Sequence, residues 1–266
     1  MRRRQLSNTL MHKKEIKPKK WTAVILLAVT LLVAVTIIMT ERYSYYSNSR
    51  QPTNTYLHKR IKKFQIHGID ISHHQGVIDW QQVKHPDTNQ RLNFTFIRAT
   101  VGTNKDKRFE ENWEAALDHG FSRGAYHYYW SDVNSTKQAH HFMETVSLAK
   151  GDLPPVLDIE DISNIQNKKS LRKGLKNWID IIETHYGVKP IIYSGEAFYR
   201  DVLKADAYFN DYPRVWIANY NGVASPRISW NFWQYTDRMP VDGIETLVDA
   251  NVFKGSLVDF NKLLVQ

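Results

Sequence analysis

Leu153-Pro154-Pro155-Val156-Leu157-Asp158-Ile159-Glu160 is the stretch on which the reading of this chain turns. Two prolines lead into an apolar run, and the run ends in two carboxylates one residue apart. Val156, Leu157 and Ile159 predict a buried strand. Side chains alternate between faces along a strand, so Asp158 and Glu160 share a face, with Cβ atoms roughly 7 Å apart. Like charges at that range push one pKa upward, which leaves one group protonated and one ionised near neutral pH. Acid-catalysed cleavage of a glycosidic bond uses such a pair. The plainer reading is a strand-end acid pair solvated at a loop, and the spacing alone does not separate the two.

Outward from this segment, short strand candidates alternate with helical stretches. The strands are expected at 68–72, 93–99, 124–129, 155–160, 190–193, 215–218 and 231–235, with a last one at 247–251. Helices are expected at 107–119, 136–148, 168–186 and 196–204, two of them followed by Gly120 and Gly187 as helix exits. Alternation over about 200 residues predicts an α/β fold with a parallel sheet, either a barrel or a doubly wound layer. No Gly-rich phosphate loop follows any strand, which counts against nucleotide binding.

In such barrels the working residues sit at the C-terminal strand ends. The first strand supplies Asp70 and Ser72 on one face. The third supplies Tyr126, His127 and Tyr128, where His127 is placed to bond a substrate hydroxyl. The fourth brings Asp158 and Glu160. Later ends carry Tyr193, then Trp216 with Asn219 and Tyr220, then Trp233, Gln234 and Tyr235, and finally Asp249. Acids and aromatics recur together, which suits an acidic cleft lined for sugar rings. His73-His74 and His140-His141 are adjacent pairs without ligand spacing, so no metal site is expected. No G-x-S-x-G elbow supports a serine triad.

Composition sets outer limits. The chain has 266 residues, 42% hydrophobic and 24% charged, which fits one large domain or two small ones. Its net charge of +9 resides mostly in residues 1–20, where Arg2, Arg3, Arg4, Lys13, Lys14, Lys17, Lys19 and Lys20 face only Glu15. The rest is close to neutral, and no basic stripe with interleaved aromatics points to nucleic acid. Cysteine is absent, which excludes disulfides, thiolate zinc and thiol catalysis.

Residues 21–40 carry no charge, no Gly and no Pro. Twenty helical residues span about 30 Å, the hydrocarbon thickness of a bilayer. The positive cluster before them predicts a cytoplasmic N-terminus. The run is long for a signal peptide, and Ile37-Ile38-Met39-Thr40-Glu41-Arg42 offers no good cleavage site. The expected layout is a basic cytoplasmic tail at 1–20, an uncleaved transmembrane anchor at 21–40, a tyrosine-rich stalk or early wrapping segment at 41–65, and a catalytic domain at 66–266.

Eight segments carry a resemblance. GIDISHHQGVIDW (68–80), FTFIRATVGT (94–103), RGAYHYY (123–129), LPPVLDIE (153–160), KPIIYSG (189–195), VWIANY (215–220), WNFWQYT (230–236) and VDANVF (248–253) look like the glycoside hydrolase family 25 lysozymes, in the family's order. The resemblance implies an irregular (β/α) barrel with fewer helices than strands. It also implies hydrolysis of the β-1,4 bond between N-acetylmuramic acid and N-acetylglucosamine in peptidoglycan, without metal or cofactor. Glu160 matches the family's proton donor, and Asp158 its partner acid, either as nucleophile or as the group steadying the substrate acetamido. Asp70 and Asp249 match the other two acids of the cleft. Same-strand spacing favours acetamido assistance with retention over a direct carboxylate nucleophile. Many relatives read A-T-E-G where this chain has Ala99-Thr100-Val101-Gly102, so one acid is missing. No wall-binding repeat domain is evident, and the anchor is expected to hold the enzyme near its polymer. The expected protein is a monomeric, single-pass inner-membrane enzyme with its barrel periplasmic or extracellular. The alternatives are a catalytically silent glycan-binding protein on the same scaffold and a hydrolase of another amino-sugar polymer such as chitin.

Overall fold

The computed structural model describes residues 55–86, 91–222 and 224–266, with isolated helical positions at 29, 33 and 36. The chain divides into two units, Met1–Asn48 and Ser49–Gln266. The basic tail and, apart from those three positions, the expected span at 21–40 lie outside the described residues. Among the described residues, no helix is long and apolar enough to cross a membrane.

In chain order the second unit holds α1 (Thr55–Ile61), β1 (Ile66–Ile71), β2 (Phe94–Val101), β3 (Asn104–Lys105), α2 (Phe109–Asp118), β4 (Ser122–Tyr128), α3 (Ser135–Thr145) and β5 (Val156–Asp158). It continues with α4 (Lys168–Tyr186), β6 (Ile191–Gly195), α5 (Glu196–Phe198), a π turn (Tyr199–Leu203), α6 (Ala207–Asn210), β7 (Val215–Ala218), β8 (Phe232–Met239), β9 (Val248–Phe253) and α7 (Leu257–Asn261). Part of the expected stalk is therefore α1. Its Leu57 and Ile61 are buried in the main apolar cluster, so the folded body reaches back to Thr55.

Eight strands close a ring in the order β1-β9-β8-β7-β6-β5-β4-β2, sealed by parallel pairing of β1 with β2. β3 folds back on β2 outside the ring. The sheet is mixed, because β9 runs antiparallel to both β8 and β1. Only residues 240–247 join β8 to β9, whereas a parallel crossover needs a dozen or more. Among the described residues, no α-helix lies between β7 and β8 or between β8 and β9, so the barrel is irregular.

Strand alternation sorts the side chains. Ile66, Phe94, Phe96, Val156, Ile191, Trp216, Phe232 and Phe253 cluster inside the barrel with Phe260 of α7. Phe96 stacks on Trp216 at 4.4 Å between ring centroids. Phe260 meets Phe94 and Phe253 at 5.7 and 5.4 Å, so α7 plugs the end opposite the parallel strands' C-termini. Gly68 and Gly124 leave room for these rings, since a Cβ there would come within 2.5 Å of Phe94 and 2.6 Å of Phe96. The intervening positions, among them Ile69, Ile97, Leu157, Ile192, Ile217 and Trp233, face the helices instead.

The longest helix illustrates how local sequence sets an element. Asn167 caps α4 by accepting from the Ser170 backbone N–H at 2.9 Å, and Gly187 ends it at φ 67°. Leu171, Leu175, Trp178, Ile179 and Ile182 form its buried stripe. Each large apolar side chain so buried contributes about 1.5–3 kcal/mol.

Candidate active site

The interior is apolar at its floor and polar at its mouth. Continuing the inward positions along each strand brings Asp70 from β1, Arg98 from β2, Tyr126 and Tyr128 from β4, and Asp158 from β5. β6 supplies Tyr193, β7 Trp216, β8 Gln234 and β9 Asp249. All of these, with Glu160 just beyond β5 and Tyr220 beyond β7, line one cavity of about 280 Å³. Ile71, Ser72, His74 and Gln75 complete its rim.

Four carboxylates share this space with one guanidinium. Asp158 is buried, and its Oδ1 has no hydrogen-bond partner. Burial pushes its pKa well above the ordinary carboxylate value, with Glu160 and Asp70 adding to the rise and Arg98 opposing it. β5 ends at Asp158, so Glu160 stands at the mouth with one side open to solvent. Its pKa is also raised, first by desolvation and then by Asp70 and Asp161. Asp70 and Asp249 are register partners on adjacent strands and hydrogen-bond one another. Both are raised, chiefly by burial, and for Asp249 also by the negative charge of Asp70. Two carboxyls so close cannot both ionise freely, so the pair holds a proton well above the ordinary range.

Arg98 is held from behind. Its Nε donates to Asp106 at 2.9 Å. Asp106 also accepts from the backbone N–H groups of His73 and Arg108, at 3.2 and 3.0 Å, and lies 2.8 Å from His73 Nδ1. These donors keep the Asp106 carboxylate below its ordinary pKa against the opposing effect of burial, the largest single influence on it. A fixed cation thus balances part of the negative charge in the cleft. Among the described residues, no group of three His, Asp or Glu side chains is arranged to hold a metal ion.

Asp70, Asp158, Glu160, Asp249, Tyr126, Tyr128, Tyr193, Trp216 and Gln234 all reach the cavity. Three expected substrate contacts do not line it. His127 lies between Tyr126 and Tyr128, so its ring points outward. It is fully buried, lies 2.7 Å from Thr100 Oγ1 and 3.1 Å from Gln138 Oε1, and stacks on Trp178 at 5.4 Å. Tyr235 follows Gln234 and for the same reason packs in the outer cluster. Asn219 donates to Glu196 and accepts from the Asn221 N–H at 3.0 Å, which shapes the loop that presents Tyr220. Arg98 and Gln75 escaped notice in the sequence, and His74 was weighed there only as a metal ligand. For Arg98 the signal was present, because it shares the inward parity of Phe94 and Phe96.

Comparison with known proteins agrees with this architecture. The family model described as Glycosyl hydrolases family 25 matches residues 69–244. An uncharacterised protein of Escherichia coli K12, YegX, is 39% identical over 255 residues, covering 90% of this chain and 92% of its own. Lysozyme M1 of Streptomyces globisporus is 32% identical over 206 residues, covering 72% of this chain and 68% of its own. Among solved structures, a family 25 glycosyl hydrolase from Bacillus anthracis superposes with a TM-score of 0.66 at 32% identity, over 75% of this chain and 94% of that one. The chain belongs to glycosyl hydrolase family 25, the lysozyme family.

Proposed function

We propose that this chain is a muramidase that hydrolyses the β-1,4 bond between N-acetylmuramic acid and N-acetylglucosamine in peptidoglycan. The observation that carries the reading is the single cavity in which Asp158 and Glu160 meet a wall of Tyr126, Tyr128, Tyr193, Trp216 and Tyr220. Aromatic faces suit the C–H faces of pyranose rings, and burial raises the Glu160 pKa above the ordinary glutamate value, the direction a proton donor needs. The lysozyme names of the relatives point the same way.

In this mechanism Glu160 gives its proton to the glycosidic oxygen as the C1–O bond breaks. The acetamido oxygen of the muramic acid residue attacks C1 from the opposite face, giving an oxazolinium ion that keeps its N–H. Water then opens the ring while the Glu160 carboxylate takes its proton, so the configuration at C1 is retained. The buried Oδ1 of Asp158, without a partner in the free protein, is the acceptor for the acetamido N–H. That hydrogen bond stabilises the ionised carboxylate as the sugar binds. The Asp70–Asp249 pair, which shares one proton, supplies negative potential beside the cationic transition state.

The basic residues 1–20 and the uncharged run 21–40 support an anchored enzyme with its N-terminus cytoplasmic and its barrel on the far side of the membrane. Fractionation of cells making the full chain is expected to recover it with membranes, and recovery in the soluble fraction counts against the anchor. The activity is tested by incubating the full-length chain with purified peptidoglycan, reducing the products with borohydride and sequencing them by mass spectrometry. Fragments ending in reduced muramic acid are expected. Fragments ending in reduced glucosamine, or no release, overturn the proposal. Early-time NMR is expected to find the β-anomer, and the α-anomer would exclude retention.

A further inference from the structure

The aspartates of β1 and β9 differ sharply in what surrounds them. Asp70 Oδ2 accepts two side-chain amides, from Gln234 Nε2 at 2.8 Å and Asn251 Nδ2 at 2.7 Å. Gln234 and Asn251 are register partners on β8 and β9, and both are buried. Each amide is itself oriented. The Trp216 indole N–H, which can only donate, reaches Asn251 Oδ1 at 2.8 Å, so the Asn251 NH₂ must turn towards Asp70. Tyr193 donates its hydroxyl to Gln234 Oε1 at 2.7 Å, and Tyr220 donates to the same oxygen, which turns the Gln234 NH₂ likewise. Asn251 points at Asp70 although Asp249 is its neighbour but one on the same strand.

We propose that Gln234 and Asn251 are positioning residues that make Asp70, and not Asp249, the charged member of the carboxyl pair. Two N–H donors on one oxygen favour the ionised form of Asp70. Asp249 then keeps the shared proton and donates it in its hydrogen bond to Asp70. The negative charge is thereby fixed on the β1 side of the mouth, where it acts on Glu160 and Asp158. The other groups facing the pair are Arg98 from β2, Tyr126 from β4, Tyr193 from β6, and Tyr220 beyond β7, while Asp237 on β8 acts on Asp249. The inference rests on the proposed hydrolase reading only for its catalytic consequence, since the ionisation order is a property of the free protein.

The test is carboxyl ¹³C NMR on the full-length chain labelled at aspartate, with Asp70→Asn and Asp249→Asn used for assignment. Asp70 is expected to lose its proton at lower pH than Asp249. In Gln234→Met, which removes one donor at similar volume, the Asp70 midpoint is expected to rise by about one pH unit, the tenfold effect of one hydrogen bond to a charged group. The acidic limb of the pH profile for peptidoglycan hydrolysis is expected to rise with it. A merely structural role would lower activity at every pH and leave both midpoints in place. If Asp249 ionises first in the parent chain, or if the Asp70 midpoint is unmoved in Gln234→Met, the proposal is overturned. Because the titration needs no substrate, a protein that cleaves no peptidoglycan refutes the proposed function and leaves this inference to stand or fall on the spectra.

Discussion

Replacing Asp152 by Ala is expected to destabilise the barrel strongly and leave its chemistry almost untouched. Asp152 immediately precedes the Leu153–Glu160 segment and is buried with Arg123 of β4. The Arg123 Nε donates to Asp152 Oδ1 at 2.8 Å and Nη2 to Oδ2 at 3.4 Å. Arg123 also donates to the Trp113 carbonyl at 2.8 Å, and its guanidinium lies 4.1 Å from the Trp113 ring. Asp152 in turn accepts from the Ala149 N–H at 2.7 Å. The truncation removes a carboxylate whose partner stays behind, charged, with side-chain exposure of only 7%. Breaking such a pair costs about 3–5 kcal/mol, because the remaining charge is buried without compensation. At roughly 2–4 °C per kcal/mol for a barrel of this size, the thermal midpoint should fall by about 6–20 °C. Neither residue lines the acidic cavity. Peptidoglycan hydrolysis at 25 °C should therefore stay within a few-fold of the parent. Tryptophan fluorescence during heating reads the first expectation and muropeptide release the second. Loss of less than about 1 kcal/mol would refute the argument that this pair ties down the approach to β5.

Two further expectations follow from ionisation. Burial lowers the His127 pKa to about 3, against 6.5 in the unfolded chain, so the folded protein refuses a proton that the unfolded chain accepts. Its contribution to stability is therefore complete above pH 6.5 and is lost as pH falls towards 3, with a slope approaching about 1.4 kcal/mol per pH unit. In urea titrations from pH 7 to pH 4, His127→Gln should lose that part of the slope without a change in KM, and parallel slopes would argue against the outward, buried placement. The second expectation concerns kcat/KM. Because Glu160 is raised above 4.5, the limb where activity falls on loss of its proton should lie above the ordinary glutamate range. A flat profile from pH 4 to pH 9 would contradict the acid's role.

How far the sequence could be read depended on what each pattern encodes. The helix expected at 168–186 has those bounds because an Asn cap and a left-handed glycine mark both ends. The helix expected at 196–204 is instead a short helical turn running into a π turn, a distinction that apolar periodicity does not carry. Strand direction is equally invisible to alternation, and only the eight-residue link before β9 hinted at its reversal. Alternation did carry the facing of each residue, and His127 and Tyr235 break it: consecutive strand residues cannot both face one cleft. Asn251 and Arg98 share parity with Asp249 and Phe96, so their inward placement was available from spacing. The partner of Asn251 was not, because Asp70 comes from a strand far away in the sequence.

The claim at the centre is that Glu160 delivers the proton that breaks the glycosidic bond. The direct test is the rate of muropeptide release by Glu160→Gln, measured beside the parent chain at matched concentration with near-UV circular dichroism as the check on folding. General acid catalysis contributes about 10²–10⁴-fold, so the variant should fall by at least about a hundredfold with an unchanged spectrum. Digestion of cell walls by a folded Glu160→Gln protein at the parent rate would contradict the account.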